Sequence, residues 1–303
     1  MTTRIDAKSV LIAVATYHRP LQLDRLLNSL RRDPSVKGAT ILIVDNSPTA
    51  EAAQIVSAVD RWPEYLHEPR PGIAAARNAA LRYAFENSFD WIAFVDDDEE
   101  VLPGWLLELL DVASEMQADA VTGPCVPKPE IDADPAWARD PIFAYGGIKD
   151  RTRVTRCSTG NVILRLASVL KLDEPQFNDG YGITGGSDSE LFERLTAIGA
   201  RLYWAQSARV IDWIPASRTN PKWIEQRLIR YGSVDARIMK EVHLRSTLFV
   251  LAQGLVRIVR GWPSHVISGI SRGGSSQNSA TYLRGVGMLR VVGGVVSEEY
   301  ARR

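Results

Sequence analysis

Sulfur is scarce in this chain. Only two cysteines, Cys125 and Cys157, occur among 303 residues. They lie far apart with no metal-ligand spacing, which excludes a disulfide scaffold and reads as two buried free thiols in a reducing compartment. Long apolar runs are missing too. No stretch reaches the roughly 18 consecutive apolar residues of a membrane span. Uncharged runs of the C-terminal third, such as residues 246–256 and 261–271, are too short. No signal peptide is evident before the first strand-like run, so a cytoplasmic location is expected. Net charge is absent as well, with 36 Lys and Arg against 36 Asp and Glu. What is present is ordinary for a folded protein: 45% apolar and 24% charged residues, enough chain for a large core.

The neutral total hides an asymmetry. Residues 222–303 hold 13 Lys and Arg against 5 Asp and Glu, while residues 1–221 hold 23 against 31. An acidic body suits a metal or polar substrate. A basic region suits an anionic surface, or merely solvates an outer helix face. Nucleic acid is disfavoured because the basic region lacks interleaved aromatics. The division predicts two parts, 1–221 and 222–303.

The first hundred residues alternate between strand and helix patterns. Residues 10–15 (VLIAVA), 41–44 (ILIV) and 91–95 (WIAFV) are continuous apolar runs of the kind buried on both faces of a parallel sheet. Residues 65–67 read as a short strand. Helices are expected after Pro20, where Leu23, Leu26, Leu27 and Leu30 share a face, over about 49–59, and over 73–86. The pattern predicts an α/β fold with a mostly parallel central sheet flanked by helices, followed by C-terminal amphipathic helices.

In such sheets ligands sit beyond the carboxyl ends of the strands. Thr16, Tyr17, Arg19, Asp45, Asn46 and Asp96 to Asp98 would therefore surround one crevice. Three consecutive acids after a buried strand repel one another unless a cation intervenes, and hard oxygen ligands suit Mg²⁺ or Mn²⁺. The bland alternative is an acidic turn capping a helix that starts near Pro103. Gly72 opens a helix with small residues in its first turn, and Arg77 lies one turn in, an arrangement that favours an anion such as a diphosphate.

Together the segments 16–20 (TYHRP), 44–47 (VDNS), 72–78 (GIAAARN) and 94–99 (FVDDDE) resemble a family 2 glycosyltransferase. The resemblance covers roughly residues 8–235, and the nearest subgroup resembles the succinoglycan and other exopolysaccharide glucosyltransferases. It implies a GT-A fold and transfer of a hexose, with inversion, from a nucleotide-diphosphate sugar such as a UDP-sugar. The acceptor would be a saccharide or lipid-linked saccharide in surface polysaccharide synthesis. By that resemblance Thr16, Tyr17, Arg19, Asp45, Arg77, Asp96 and Asp97 bind the nucleotide donor. Asp98, Asp96 and Asp212 form the Mn²⁺ or Mg²⁺ set, with Asp98 the direct ligand of the DXD-type pair. Asp188 is the catalytic base. Ser187 stands where the family usually has Glu, which removes a negative charge beside Asp188.

Gly185, Gly186, Arg227 and Arg230 are candidate acceptor contacts, with a solvated helix face the alternative for the two arginines. The string 180–185 (GYGITG) matches a dinucleotide-binding pattern, but no buried strand precedes it and no acid follows about 20 residues later, so it reads as a glycine loop beside the acceptor. The basic amphipathic tail from Glu241 to Tyr300 suits peripheral contact with the anionic inner face of the cell membrane. Packing against the body or a second subunit is its alternative, which leaves homo-oligomer formation open. Two rival functions remain: a nucleotidyltransferase on a similar fold, and a sugar-nucleotide or glycan-binding protein that has lost turnover.

Overall fold

The structure is a computed structural model and describes residues 5–58, 63–130, 141–143, 147–182, 184–270 and 277–295. The chain forms two compact units. One comprises residues 1–126, 146–212 and 300–303; the other comprises 127–145 and 213–299.

The first unit is built on an eight-stranded sheet. Its strands are β1 (Val10–Thr16), β2 (Thr40–Asp45), β3 (Pro63–His67), β4 (Trp91–Val95), β6 (Ala120–Thr122), β8 (Arg153–Val154), β9 (Asn161–Arg165) and β10 (Leu202–Trp204), in the order β3-β2-β1-β4-β9-β6-β10-β8. The left half, β3-β2-β1-β4, is wholly parallel, as is the pair β6-β10. β9 runs antiparallel between β4 and β6, and β8 is antiparallel to β10. A smaller sheet orders β5 (Glu99–Val101), β11 (Val210–Ile214) and β7 (Cys125–Pro129) as β5-β11-β7.

The alternation of side chains along a strand explains why β1 reads as unbroken apolar sequence. Val10, Ile12 and Val14 join one core cluster with Leu23, Leu26, Leu27 and Leu30 of α1 (Pro20–Arg32) and Leu106, Leu109 and Leu110 of α4 (Trp105–Glu115). Leu11 and Ala13 join the opposite cluster, with the alanines of α3 (Ile73–Glu86) and Leu191, Phe192 and Leu195 of α6 (Ser187–Ala197). Both faces are covered, so both must be apolar. Each fully buried Leu contributes roughly 1.5–3 kcal/mol of transfer free energy.

The helix expected over 49–59 is shorter: α2 spans Ala53–Ala58, and residue 59 lies outside the described residues. Its approach is tied down first, because Asp45 Oδ2 accepts from Ala52 N–H and Ser47 Oγ accepts from Glu51 N–H. Both cysteines are free thiols.

The second unit takes in the last residues of β7 and β11 and three long helices: α7 (Pro221–Glu241), α8 (Thr247–Ile270) and α9 (Gln277–Val292). α7 starts at an Asn220 side-chain cap and Pro221. A Cβ on Gly232 would lie 1.9 Å from Arg284 O, and one on Gly287 1.9 Å from Ile229 O. α7 and α9 therefore meet backbone to backbone, and Ser233 Oγ donates to Gly287 O at 3.1 Å.

Candidate functional site

The carboxyl ends of β1, β2 and β4 lie side by side, in parallel register, so Thr16, Asp45 and Asp96 arrive at one edge of the sheet. Antiparallel β9 starts where β4 ends, with Asn161 opposite Val95, which brings Ser158 to Gly160 beside Asp96. The first turn of α6 brings Asp188 to the same edge: Ser158 Oγ donates to Asp188 Oδ2 at 3.4 Å.

One side of this crevice is closed. Thr16 Oγ1 donates to Asp97 Oδ2 at 2.8 Å, and Arg19 donates to Asp97 Oδ1 at 2.9 Å and to Asp98 Oδ2 at 2.7 Å. Burial works against the Arg19 charge, but Asp97, Asp98 and Asp96 outweigh it and raise the guanidinium pKa. Burial also pushes Asp97 above the usual carboxylate range, against the pull of Arg19. Asp45 is 1% exposed, and its carboxylate accepts from Ser47 N–H, Ala52 N–H and the Tyr65 hydroxyl at 2.8, 2.8 and 3.1 Å. Burial and Asp45 together push the Tyr65 phenol up to about 12. A small cleft is lined by Thr16, Arg19 and Asp45 along with His18, Pro20, Glu51 and Ala52. Tyr17 stands exposed beside it, edge-on to His18.

The other side is looser. Arg77 is buried and stands 3.7 Å from Asp96 Oδ1, with a long hydrogen bond of 3.3 Å to Ser187 Oγ. The Asp96 side chain is 45% exposed and opens into the crevice. Enclosure by the surrounding protein raises its pKa; Arg77 lowers it, and Asp98 and Asp188 raise it again. Gly186, with φ 93°, turns the chain into α6 in a conformation that disfavours any side chain. Ser189 N–H donates to Asp188 Oδ1 at 2.7 Å, which fixes one carboxylate oxygen at the helix start.

Glu99 lies beneath both sides and carried no assigned role in the sequence reading. Its Oε2 accepts from Asp96 N–H at 2.9 Å, and its Oε1 sits 2.7 Å from where a Cβ on Gly160 would stand. Only glycine leaves room for that carboxyl. Burial, and then Asp96 and Asp212, hold Glu99 well above the ordinary carboxyl range. Asp212 pairs in register with Glu99 across β5 and β11. The signal for Glu99 was its place as the fourth acid in the run, three residues after Asp96. Ser158 likewise carried no assigned role.

The acidic run does not cap the helix after Pro103. Gly104 N–H and Trp105 N–H donate to Asp33 at 3.0 and 3.1 Å, so α4 takes its cap from elsewhere. Gly185 and Gly186 precede α6 with positive φ; Ile183 of the glycine string lies outside the described residues. Arg227 and Arg230 belong to the helical unit. There Arg227 covers the rings of Trp223 and Tyr231, and Arg230 lies over Tyr231.

The crevice thus gathers six acids (Asp96, Asp97, Asp98, Glu99, Asp188 and Asp212) around two arginines. That surplus of hard oxygen donors fits a divalent cation. Among the described residues no group of three or more His, Cys, Asp or Glu side chains is arranged to hold a metal ion on its own. A cation there would take one or two carboxylates from the protein and its other ligands from water or a bound diphosphate.

Comparison with known proteins bears on the family and the fold. The succinoglycan biosynthesis protein ExoM of Rhizobium meliloti (strain 1021) is 32% identical over 246 residues, covering 76% of this chain and 75% of the relative. A mannosyltransferase from Pyrobaculum calidifontis, solved with GDP-Man and Mn²⁺, aligns over 78% of this chain with a TM-score of 0.56 at 16% identity. GalNAc-T7, solved with UDP, GalNAc and Mn²⁺, aligns over 75% with a TM-score of 0.54 at 14% identity. This chain spans 65% and 50% of those two solved chains. At such identities they show the fold alone, and that fold is the GT-A type expected. The family model for glycosyl transferase family 2 matches residues 11–171, more than half of the sequence, and the chain belongs to that family.

Proposed function

We propose that this protein transfers a hexose from a nucleoside-diphosphate sugar, a UDP-sugar in the first instance, to a hydroxyl of a saccharide or lipid-linked saccharide, with inversion, in surface polysaccharide synthesis. The observation that carries the reading is the convergence of Arg77, Asp96 and Asp188 at the carboxyl edge of the sheet, from three separate segments, with few short internal bonds.

Asp188 acts as general base. Its Oδ2, held among the described residues only by the long bond from Ser158, removes the proton of the acceptor hydroxyl. The acceptor oxygen attacks the anomeric carbon while the bond to the diphosphate breaks on the opposite face, and the nucleoside diphosphate leaves with the electron pair. Arg77 neutralises charge on the departing diphosphate. Thr16, Tyr17, Arg19, Asp45 and Asp97 shape the nucleotide end. For Thr16, Arg19 and Asp45 the role is supported by the small cleft they border, and for Asp97 by its hydrogen bonds to Thr16 and Arg19.

A Mn²⁺ or Mg²⁺ ion, when bound, would offset the charge of the departing diphosphate. Asp96, open into the crevice, is the carboxylate best placed to hold it. Asp98 would have to loosen its bond to Arg19 first, and Asp212 is the third candidate.

The test is nucleoside diphosphate release from a panel of sugar nucleotides with Mn²⁺, using the wild type, Asp96→Ala and Asp188→Asn. Release from one donor, abolished in both variants, supports the reading. Pyrophosphate release would point to nucleotidyl transfer. Donor binding without release, even with membrane extract as acceptor source, would make this a binding protein.

A further inference from the structure

The helical unit carries a surface that sugar transfer does not use. Its chemistry is set by a gap in the sequence: residues 242–297 contain no Asp or Glu, while six arginines fall in the same stretch. α8 lies in this stretch. Its inner face is committed to α9. Val250 is fully buried, and a Cβ on Gly254 would meet Leu289 at 2.8 Å. Arg257 reaches Asp235 of α7 at 2.8 Å.

The outer face is different. Leu248, Leu255, Val259, Trp262 and Val266 are all exposed, Leu248 at 77%, Val259 at 72% and Trp262 at 55%. At 3.6 residues per turn they fall within an arc of about 60°. They form a continuous apolar stripe along a helix that spans about 36 Å at 1.5 Å per residue. Arg245 and Arg260 are exposed beside it. Arg245 lies over the Phe249 ring, and Arg260 has no acid partner among the described residues. Among the described residues no helix is long and apolar enough to cross a membrane. A stripe of this size, with an indole on it and only cationic charge around it, matches a surface that is anionic outside and apolar just beneath.

We propose that the outer face of α8 lies in the interface of an anionic phospholipid leaflet, with Leu248, Leu255, Val259 and Trp262 entering the acyl boundary and Arg245 and Arg260 meeting the phosphates. The sequence alone left the whole tail as a candidate. Among the described residues the candidate narrows to one face of one helix, because the apolar side chains of α9 turn inward: Met288 is fully buried, and Leu283 and Ala280 nearly so. A second copy of the chain would have to bring acids to this face, and the face itself offers none.

The experiment is flotation of the full chain with vesicles of phosphatidylcholine alone and with added phosphatidylglycerol, comparing wild type with the Leu248→Glu/Val259→Glu variant. Both sites are exposed, so the variant keeps the wild-type melting curve and donor hydrolysis. The expected result is binding to the anionic vesicles only, weakened at least tenfold in the variant and reduced by high salt, with quenching of Trp262 by brominated acyl chains that Trp262→Phe removes. Three results would overturn the proposal: no flotation with either vesicle, equal binding by wild type and variant, or a dimer in solution that the variant dissociates. The readout is binding, so a failure here leaves the sugar-transfer reading untouched, and failure of that reading leaves this one standing.

Discussion

The two sides of the crevice are built from the same residue types but spend them differently. Around Thr16, Arg19, Asp97, Asp98 and Asp45, the hydrogen bonds given above run from 2.7 to 3.1 Å, and every one is internal. Around Arg77, Asp96, Ser158 and Asp188, the bonds between side chains stretch to 3.3–3.7 Å. Buried polar groups that are fully satisfied hold a shape. Groups left with long contacts still have most of their interaction free energy to give to a ligand. On the proposed reading, the first side mainly holds the shape of the nucleotide end, and the second is where the transfer itself would take place.

That contrast is broken or sharpened first by Asp188→Asn. It keeps the shape and removes the basicity, so turnover should fall by about 10² to 10⁴. Donor affinity and melting temperature should hardly move. A variant that melts early with normal turnover per folded molecule would make Asp188 scaffold after all. The paired comparison of Arg19→Met with Arg77→Met comes next. Arg19→Met leaves two nearly buried carboxylates without their cation. It should cost about 2 kcal/mol of stability, below the roughly 3–5 kcal/mol of a fully buried pair because Arg19 is 37% exposed and partly screened. Arg77→Met should leave the melt closer to wild type and weaken donor binding by about tenfold, equivalent to about 1.4 kcal/mol. Equal destabilisation by the two variants would erase the distinction between the sides.

The scaffold was legible where its cause is local. β1, β2 and β4 are visible as apolar runs, and α3 as an alanine-rich pattern, because each is buried on the faces its own sequence marks. β5, β6 and β10 were not visible. They are three residues long, and Glu99 and Glu100 in β5 have no strand-like pattern; pairing with β11 makes them a strand. The crevice was legible as a place, and its division of labour was not. The resemblance makes Asp98 the direct metal ligand, yet Arg19, 79 positions away, ties up Asp98 and leaves Asp96 the more open of the two. Asp45 reads as a pocket acid, yet Tyr65, 20 positions away, helps take up its oxygens. The crossing of α7 and α9 rests on glycines 55 positions apart in sequence, which no periodicity announces.

Ser187 tests the working side at smaller scale. It is fully buried, and its hydroxyl accepts from Arg77 at 3.3 Å. A serine there leaves the guanidinium charge uncancelled, so Arg77 can serve Asp96 or a diphosphate. Ser187→Asp, a modest change in volume, puts a carboxylate against Arg77. Donor KM should rise several-fold, up to about tenfold, with a smaller change in kcat. An unchanged KM would mean that Arg77 does not meet the donor.

The smallest effect belongs to the scaffold. Tyr65→Phe removes one of three donors to Asp45, and the two backbone donors remain, so the loss should be about 0.5–1.5 kcal/mol. Its pH dependence gives the sharper test. The phenol is neutral when it donates, and the fold raises its pKa from 10.0 to about 12. Its contribution is therefore complete below pH 10 and is lost as pH climbs through 12. Wild type should lose stability across that window more steeply than Tyr65→Phe, and tyrosinate absorbance at pH 11 should show one fewer late-titrating phenol in the variant. If the two proteins lose stability in parallel from pH 10 to 12, the bond to Asp45 contributes nothing, and the scaffold side is held by its backbone donors and Arg19 alone.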